Sequence, residues 1–398
     1  MELNLSELHK RLLTHVPYSY SNEHILIIDF VTIMGSIFYY DIKEPTKENA
    51  IRNINIEIPV YNVEHWVKLT KEIERLTKWV SEDNFHIQFV ENKYINSEIN
   101  YILPLPNEYD VTLFSGGLDS LSGAFYNFKN SIKSDYVGFI NKGEEKTHQV
   151  EIEKFYRRTF DDNTSVHLID KFPVKKVTYI QSTRSLLYFA LGIAKAHFNN
   201  SRILYLFENG ILSLNPELNN RYTTKTTHPK TIYLYNNLLN DANINISIKH
   251  PFLFRTKGEI INDMNHDFLN VVRDTFTCGQ GRNPIKSHKG QCGTCIPCLL
   301  RKISVAAYNN EDYDVKYNYP YGTKFKDIDD MSYRNDYESN FDYFKRYCDS
   351  IKKKQIYLEI DVHKGYYSEN INYKQANKEM FDKFVIEFER FIEKHDPY

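Results

Sequence analysis

The chain has 398 residues, 41% of them hydrophobic, with a formal net charge of -2 and five cysteines. That length supports one large core or two to three smaller ones, and the near-neutral balance argues against direct nucleic-acid binding. The start, Met1-Glu2-Leu3-Asn4, lacks a signal-peptide layout, and no apolar run reads as a membrane span of roughly 20 residues, so a cytoplasmic protein without a membrane partner is expected.

Residues 1–108 read as an N-terminal α+β unit. Ile25-Leu-Ile-Ile-Asp-Phe-Val31, Ile54 to Val60 and His86 to Val90 read as strands, and Val63 to Val80 has helical apolar spacing. Pro104-Leu-Pro-Asn-Glu-Tyr109 marks a boundary, because paired prolines favour an extended connector. Residues 109–320 then alternate. Strands are predicted at Asp110–Phe114, Tyr136–Ile140, Val166–Ile169 and Arg202–Phe207, and helices at His148–Phe160 and Arg184–Phe198. This order predicts an α/β fold with a mainly parallel sheet. Residues 321–398 are predicted to be mostly helical, with a strong apolar stripe from Met380 to Ile392.

Two local patterns carry chemistry. The first predicted strand of the second unit runs into Ser115-Gly116-Gly117-Leu118-Asp119-Ser120 and then a helix. Two glycines permit a tight turn and close approach to an anion. The helix start offers free N–H groups, the serines offer hydroxyls, and Asp119 can hold the loop or position Mg2+. The pattern suits pyrophosphate or the phosphates of ATP, and it is not a Walker A loop, since no Gly-Lys-Ser/Thr follows. The second pattern is Cys278 followed by Cys292-Gly-Thr-Cys295-Ile-Pro-Cys298. Four clustered thiols fit a closed, structural Zn2+ site better than disulfides. His288 lies inside this stretch and reads as a loop residue, and Cys348 reads as a buried small side chain. Glu208-Asn209-Gly210 directly follows a predicted strand, where parallel sheets bind ligands. Arg221 and the polar run ending at His228 are further pocket candidates.

The Ser-Gly-Gly-x-Asp-Ser string resembles the PP-loop of the ATP pyrophosphatases, which have an adenine nucleotide alpha hydrolase-like fold. One departure is Leu121, where many members have Ser or Thr, with Ser122 one place later. Adding the cysteine element makes the region from 109 to 310 similar to the QueC family, the 7-cyano-7-deazaguanine synthases. His148-x-x-Glu151, Arg184 and Pro251-Phe-Leu-x-x-x-Lys257-x-Glu-Ile260 fall in matching order between the two motifs. The 13 residues separating Cys278 from Cys292 make a longer gap than the family's usual one.

The resemblance implies an ATP-dependent ligase that converts a 7-carboxy-7-deazaguanine-like carboxylate into an acyl-adenylate and then an amide. It implies ATP, Mg2+ and Zn2+ as cofactors. Asp119 and the cations Arg184 and Lys257 would serve catalysis, with Arg301 on the substrate. The added flanks resemble a QatC-like branch of QueC relatives in bacterial antiviral systems, which implies a co-encoded protein as the acceptor. Three other readings stay open at this point: nitrile synthesis for queuosine-type modification, a non-catalytic nucleotide-binding module, and tRNA thiolation, for which no cysteine is obviously free.

Overall fold

The computed structural model describes residues 5–17, 22–45, 51–93, 107–140, 143–161, 163–170, 181–214, 216, 225–279, 290–360, 362–368 and 370–398. Arg221, His288 and residues 104–106 of the Pro104–Tyr109 boundary fall outside them.

Two helices open the chain, α1 (Leu5–Leu12) and α2 (Asn22–Lys43). Helix α2 replaces the strand expected at Ile25–Val31. A short β-branched run cannot be told from a segment of buried helix by pattern alone. Here the apolar run continues well past strand length, and Ile27, Ile28, Phe30, Val31, Ile33, Met34 and Ile37 are all buried. A helix that is apolar on all sides belongs inside a core. His24–Lys43 is also long and apolar enough to cross a membrane, which corrects the expectation that no such run exists; 83% of its most apolar window is buried within the protein.

Strand β1 (Asn53–Val60), helices α3 (Val63–Val67) and α4 (Thr70–Ser81), and strand β2 (Asn84–Glu91) follow. The strands pair in parallel, with Ile54 opposite Phe85 and Ile58 opposite Phe89. Alternation explains the pairing. Ile54, Ile56 and Ile58 face inward, while Asn53, Asn55 and Glu57 face solvent. Helix α4 buries Ile73, Leu76 and Val80 on one stripe.

The central part alternates β3 (Asp110–Leu113), α5 (Leu118–Lys129), β4 (Ser134–Ile140), α6 (Gly143–Thr159), β5 (Val166–Asp170), α7 (Arg184–Phe198), β6 (Ile203–Tyr205), α8 (Gly210–Ser213), α9 (Pro229–Asp241) and β7 (Ser247–Lys249). All five strands are parallel, in the order β5-β4-β3-β6-β7. Every residue of β4 is buried, as expected for a parallel sheet covered on both faces. Then come α10 (Lys257–Asn262), α11 (His266–Val271), α12 (Ile296–Ala306), α13 (Met331–Lys352), α14 (Ile356–Glu359) and α15 (Tyr373–His395).

The flanking regions are not satellites. Leu8, Leu12 and α2 share one apolar core with α7 and with Val111, Leu113 and Val137 of the sheet, so residues 1–108 do not keep a core of their own. Phe341, Phe344, Phe384 and Phe388 of α13 and α15 share another core with the four clustered cysteines and with Ile211 of α8. Each buried Leu, Ile or Phe contributes roughly 1.5–3 kcal/mol, so both junctions are tightly held.

Candidate functional site

Strand β3 ends at Leu113 and the chain turns through Ser115–Gly117 into α5. Gly116 adopts φ +77°, and a Cβ there would stand 2.7 Å from Gln149 Cγ. Conformation and neighbour both demand glycine. The turn is braced internally. Ser115 N–H donates to Ser120 Oγ at 3.0 Å, the two hydroxyls meet at 2.7 Å, and Phe276 N–H donates to Gly116 O at 3.0 Å. Helix α5 has no side-chain cap at Gly117. Its first-turn N–H groups and the positive end of its dipole therefore remain available to an anion. Ser122 does not stand in for the hydroxyl missing at Leu121: it is buried, and its Oγ donates back to Leu118 O at 2.8 Å.

The sheet order sets what faces this turn. Chain order runs from β3 out to β4 and β5, then returns to β6 on the other side of β3. The carboxyl ends of β3 and β6 therefore flank the topological switch point, the crevice where open parallel sheets bind ligands. The loop after β6 supplies Glu208 and Asn209. Asn209 Nδ2 donates to Glu208 Oε1 at 2.8 Å and to Asp119 Oδ1 at 3.4 Å. Lys257 arrives from a third direction, at the start of α10 behind the capping box Thr256–Glu259, and its Nζ pairs with Asp119 Oδ2. A lysine this deeply buried needs a partner charge. Burial, and then the charge of Asp119 beside it, push the Glu208 carboxyl well above the ordinary range. His250 donates Nε2–H to Glu208 O at 2.8 Å, and burial lowers its pKa to about 4, keeping the ring neutral. Two acids, an amide and a cation from three separate segments thus meet beside an anion-ready helix end.

The other predicted residues have partners of their own. Arg184 opens α7, whose start is held by Thr183 N–H and Oγ1–H donating to Asp41 Oδ2 at 3.0 and 2.7 Å. Its charge acts on Tyr188, whose hydroxyl donates to Val137 O at 3.0 Å. Gly210 is a packing glycine: a Cβ would collide with the Leu253 carbonyl and the Met380 sulfur. His228 caps α9, accepting from Lys230 N–H at 3.1 Å, and its ring lies against Trp79. Arg301 is not a substrate cation. It is fully buried, and donates to Asp314 Oδ1 at 2.7 Å, Thr275 Oγ1 at 2.8 Å, Val272 O at 2.8 Å and Thr277 Oγ1 at 3.1 Å. It clamps the segment between Val272 and Cys278, the same segment whose Phe276 braces Gly116. A hollow of about 490 Å³ lies on the β1–β2 face, lined by residues such as Asn55, Glu57, Glu74 and His86, and holds none of these groups.

The sulfur atoms of Cys278, Cys292, Cys295 and Cys298 lie within 4.8 Å of one another, with pairs at 3.6, 3.9 and 4.0 Å. A tetrahedron with Zn–S bonds of about 2.3 Å has edges of about 3.8 Å, so this donor set fits zinc and leaves no open position. Gly293 supports the knuckle at φ +85°. Four thiolates on Zn2+ carry two net negative charges. The start of α12, capped at Cys295, and the buried Lys302 bring positive potential to them.

Asp119, Ser120 and the cysteines were legible as motifs. His250 and Asp41 were not singled out, and Glu259 stood only as part of the Lys257-x-Glu-Ile260 string, although Thr256-x-x-Glu259 is a capping-box signature. A family profile described as Queuosine biosynthesis protein QueC matches residues 226–309. The stretch spans α9 to α12, including Lys257, Arg301 and all four cysteines, and leaves the 115–120 turn and Glu208–Asn209 outside it. No curated protein matches the chain. Over residues 226–309 the chain is thus similar to the QueC family of ATP-using PP-loop enzymes, and it carries there a cysteine group able to bind metal.

Proposed function

We propose that this chain uses ATP to adenylate a 7-carboxy-7-deazaguanine-like carboxylate and passes the acyl group to an amine. The observation that carries the reading is the crevice between β3 and β6, where an uncapped helix start meets Asp119, Lys257, Glu208 and Asn209.

A carboxylate is a poor electrophile, because attack by an amine would have to expel oxide. The substrate oxygen therefore attacks the α-phosphorus of ATP, the Pα–O–Pβ bond breaks, and pyrophosphate leaves. The amine then attacks the acyl carbon, AMP departs, and the amine loses a proton. The first-turn N–H groups of α5 bind and orient the phosphates, and Ser115 and Ser120 contribute hydroxyls. Lys257 offsets the charge that accumulates as two anions approach. Asp119, and Glu208 on losing its proton, would hold Mg2+ through carboxylate oxygens, and that ion would supply further charge neutralisation at the phosphates. Arg184 adds positive potential from the start of α7. Zinc holds the fold and takes no part in the chemistry.

The acceptor in this reading is the amino terminus of a co-encoded partner protein, in an antiviral setting. What supports it is the chain outside the matched stretch, in which α15 lies against Gly210 and Gly258, beside Asn209 and Lys257 of the site. Incubation with ATP, 7-carboxy-7-deazaguanine and the co-encoded protein is expected to release AMP and pyrophosphate and to add a deazaguanine-amide mass to that protein. Free 7-cyano-7-deazaguanine made from ammonia would reassign the acceptor. ATP binding without AMP release from any carboxylate would reduce the chain to a nucleotide-binding module.

A further inference from the structure

Helix α15 lies outside the matched stretch, yet two of its side chains reach the loops of the site. Met380 is fully buried and fills the space a side chain would need at Gly210, next to Glu208–Asn209. Two turns further along, Glu387 is 1% exposed, and its Oε1 accepts from the Thr256 hydroxyl. The same oxygen occupies the place of a Cβ at Gly258, so the backbone of the turn rests directly on the carboxyl.

Thr256 is the N-cap of α10, and the first residue of that helix is Lys257. A hydroxyl has one proton to give and two lone pairs with which to accept. Glu387 takes the proton. The lone pair that receives Glu259 N–H at 3.1 Å is thereby fixed in direction. An apolar side chain would fill this buried space at less cost in desolvation, so an acid here calls for an explanation.

We propose that Glu387 is a positioning residue for Lys257: it locks the cap hydroxyl of α10 and so holds the Lys257 ammonium against Asp119 at the mouth of the phosphate loop. The groups facing Glu387 are Thr256 and Glu259 from the start of α10, Tyr308 from the turn after α12 and Cys348 of α13. Burial pushes the Glu387 carboxyl up to about 8, so it is mostly protonated at neutral pH and Gln imitates it in shape and charge.

The kinetic part of this proposal rests on the adenylation reading; the geometric part does not. The test compares full-length wild type, Glu387→Leu and Glu387→Gln, with folding and bound zinc checked first. Acylation of Lys257 by a lysine-reactive ester is followed by mass spectrometry, and AMP release gives kcat and KM for ATP. Glu387→Leu is expected to speed acylation of Lys257 at least ~5-fold and to lower kcat ~10-fold, with KM within about 2-fold. Glu387→Gln is expected to restore both readouts to within about 2-fold of wild type. Unchanged labelling in a folded Glu387→Leu protein overturns the proposal, as does a Gln variant that labels as fast as the Leu variant. If the wild type releases no AMP, the adenylation reading fails and the labelling alone decides the role of Glu387. If Glu387→Leu does not fold, Thr256→Val removes the same hydroxyl link and is judged by the same labelling.

Discussion

Gly116 and Gly210 are both intolerant of a side chain, but for different reasons that experiment separates. At Gly116 the left-handed backbone makes Gly116→Ala cost about 1–2 kcal/mol. The loss should appear as a lower melting temperature together with weaker ATP binding, because the turn itself is displaced. At Gly210 the obstacle is the Leu253 carbonyl and Met380, so Gly210→Ala is expected to impair folding before it touches nucleotide affinity. Lys257→Met leaves Asp119 without its cation and should lower AMP release by about 10²-fold or more in a folded protein. Arg301→Met should instead cost about 3–5 kcal/mol in urea unfolding, because Asp314 is left buried and uncompensated. The 115–120 turn and the four cysteines were legible because each motif is local: spacing along the chain is also spacing in space. The role of Arg301 was not, since its partners Val272, Thr275 and Asp314 are set by tertiary packing. Glu387 gave no signal for the same reason.

Among elements, the amphipathic ones announced themselves. Strands β1 and β2 alternate and α4 has a one-sided stripe, so their burial patterns follow from period 2 and period 3.6. Helix α2 was misread because burial on every side erases the period. The zinc element is where element-scale stability can be tested. One zinc per chain is expected by metal analysis, and Cys292→Ser should abolish it. The cysteines share a core with α13 and α15. Chelation is therefore expected to raise hydrogen exchange in α12, α13 and α15 first, and in β3 and β4 only later.

For the whole molecule, buried ionisable groups predict a stability optimum. His9, His15, His167 and His250 are lowered by burial to about 4, 3, 4 and 4. The unfolded chain then binds protons first, and stability falls as pH drops below about 6.5. Asp29 and Glu387 are raised by burial to about 6 and 8. Their contribution is complete below the unfolded carboxyl range and is lost as pH rises through those values. Melting temperature should therefore peak near pH ~6.5 and decline on both sides, and Glu387→Gln should shrink the alkaline decline. The alternating order of the central region made the parallel sheet legible, while the merging of both flanks into its cores was not, because a sequence pattern shows which residues are apolar and not which neighbours they share. That merging sets the order in which the parts of the site are completed. During translation the phosphate turn leaves the ribosome early, followed by Glu208 and Lys257, but the clamp on Lys257 comes from helix α15, hundreds of residues after that turn. A nascent or clipped chain ending before position 387 should hold the nucleotide-gripping turn yet leave its lysine loose, so ATP is spared until the polypeptide is far enough along to use it.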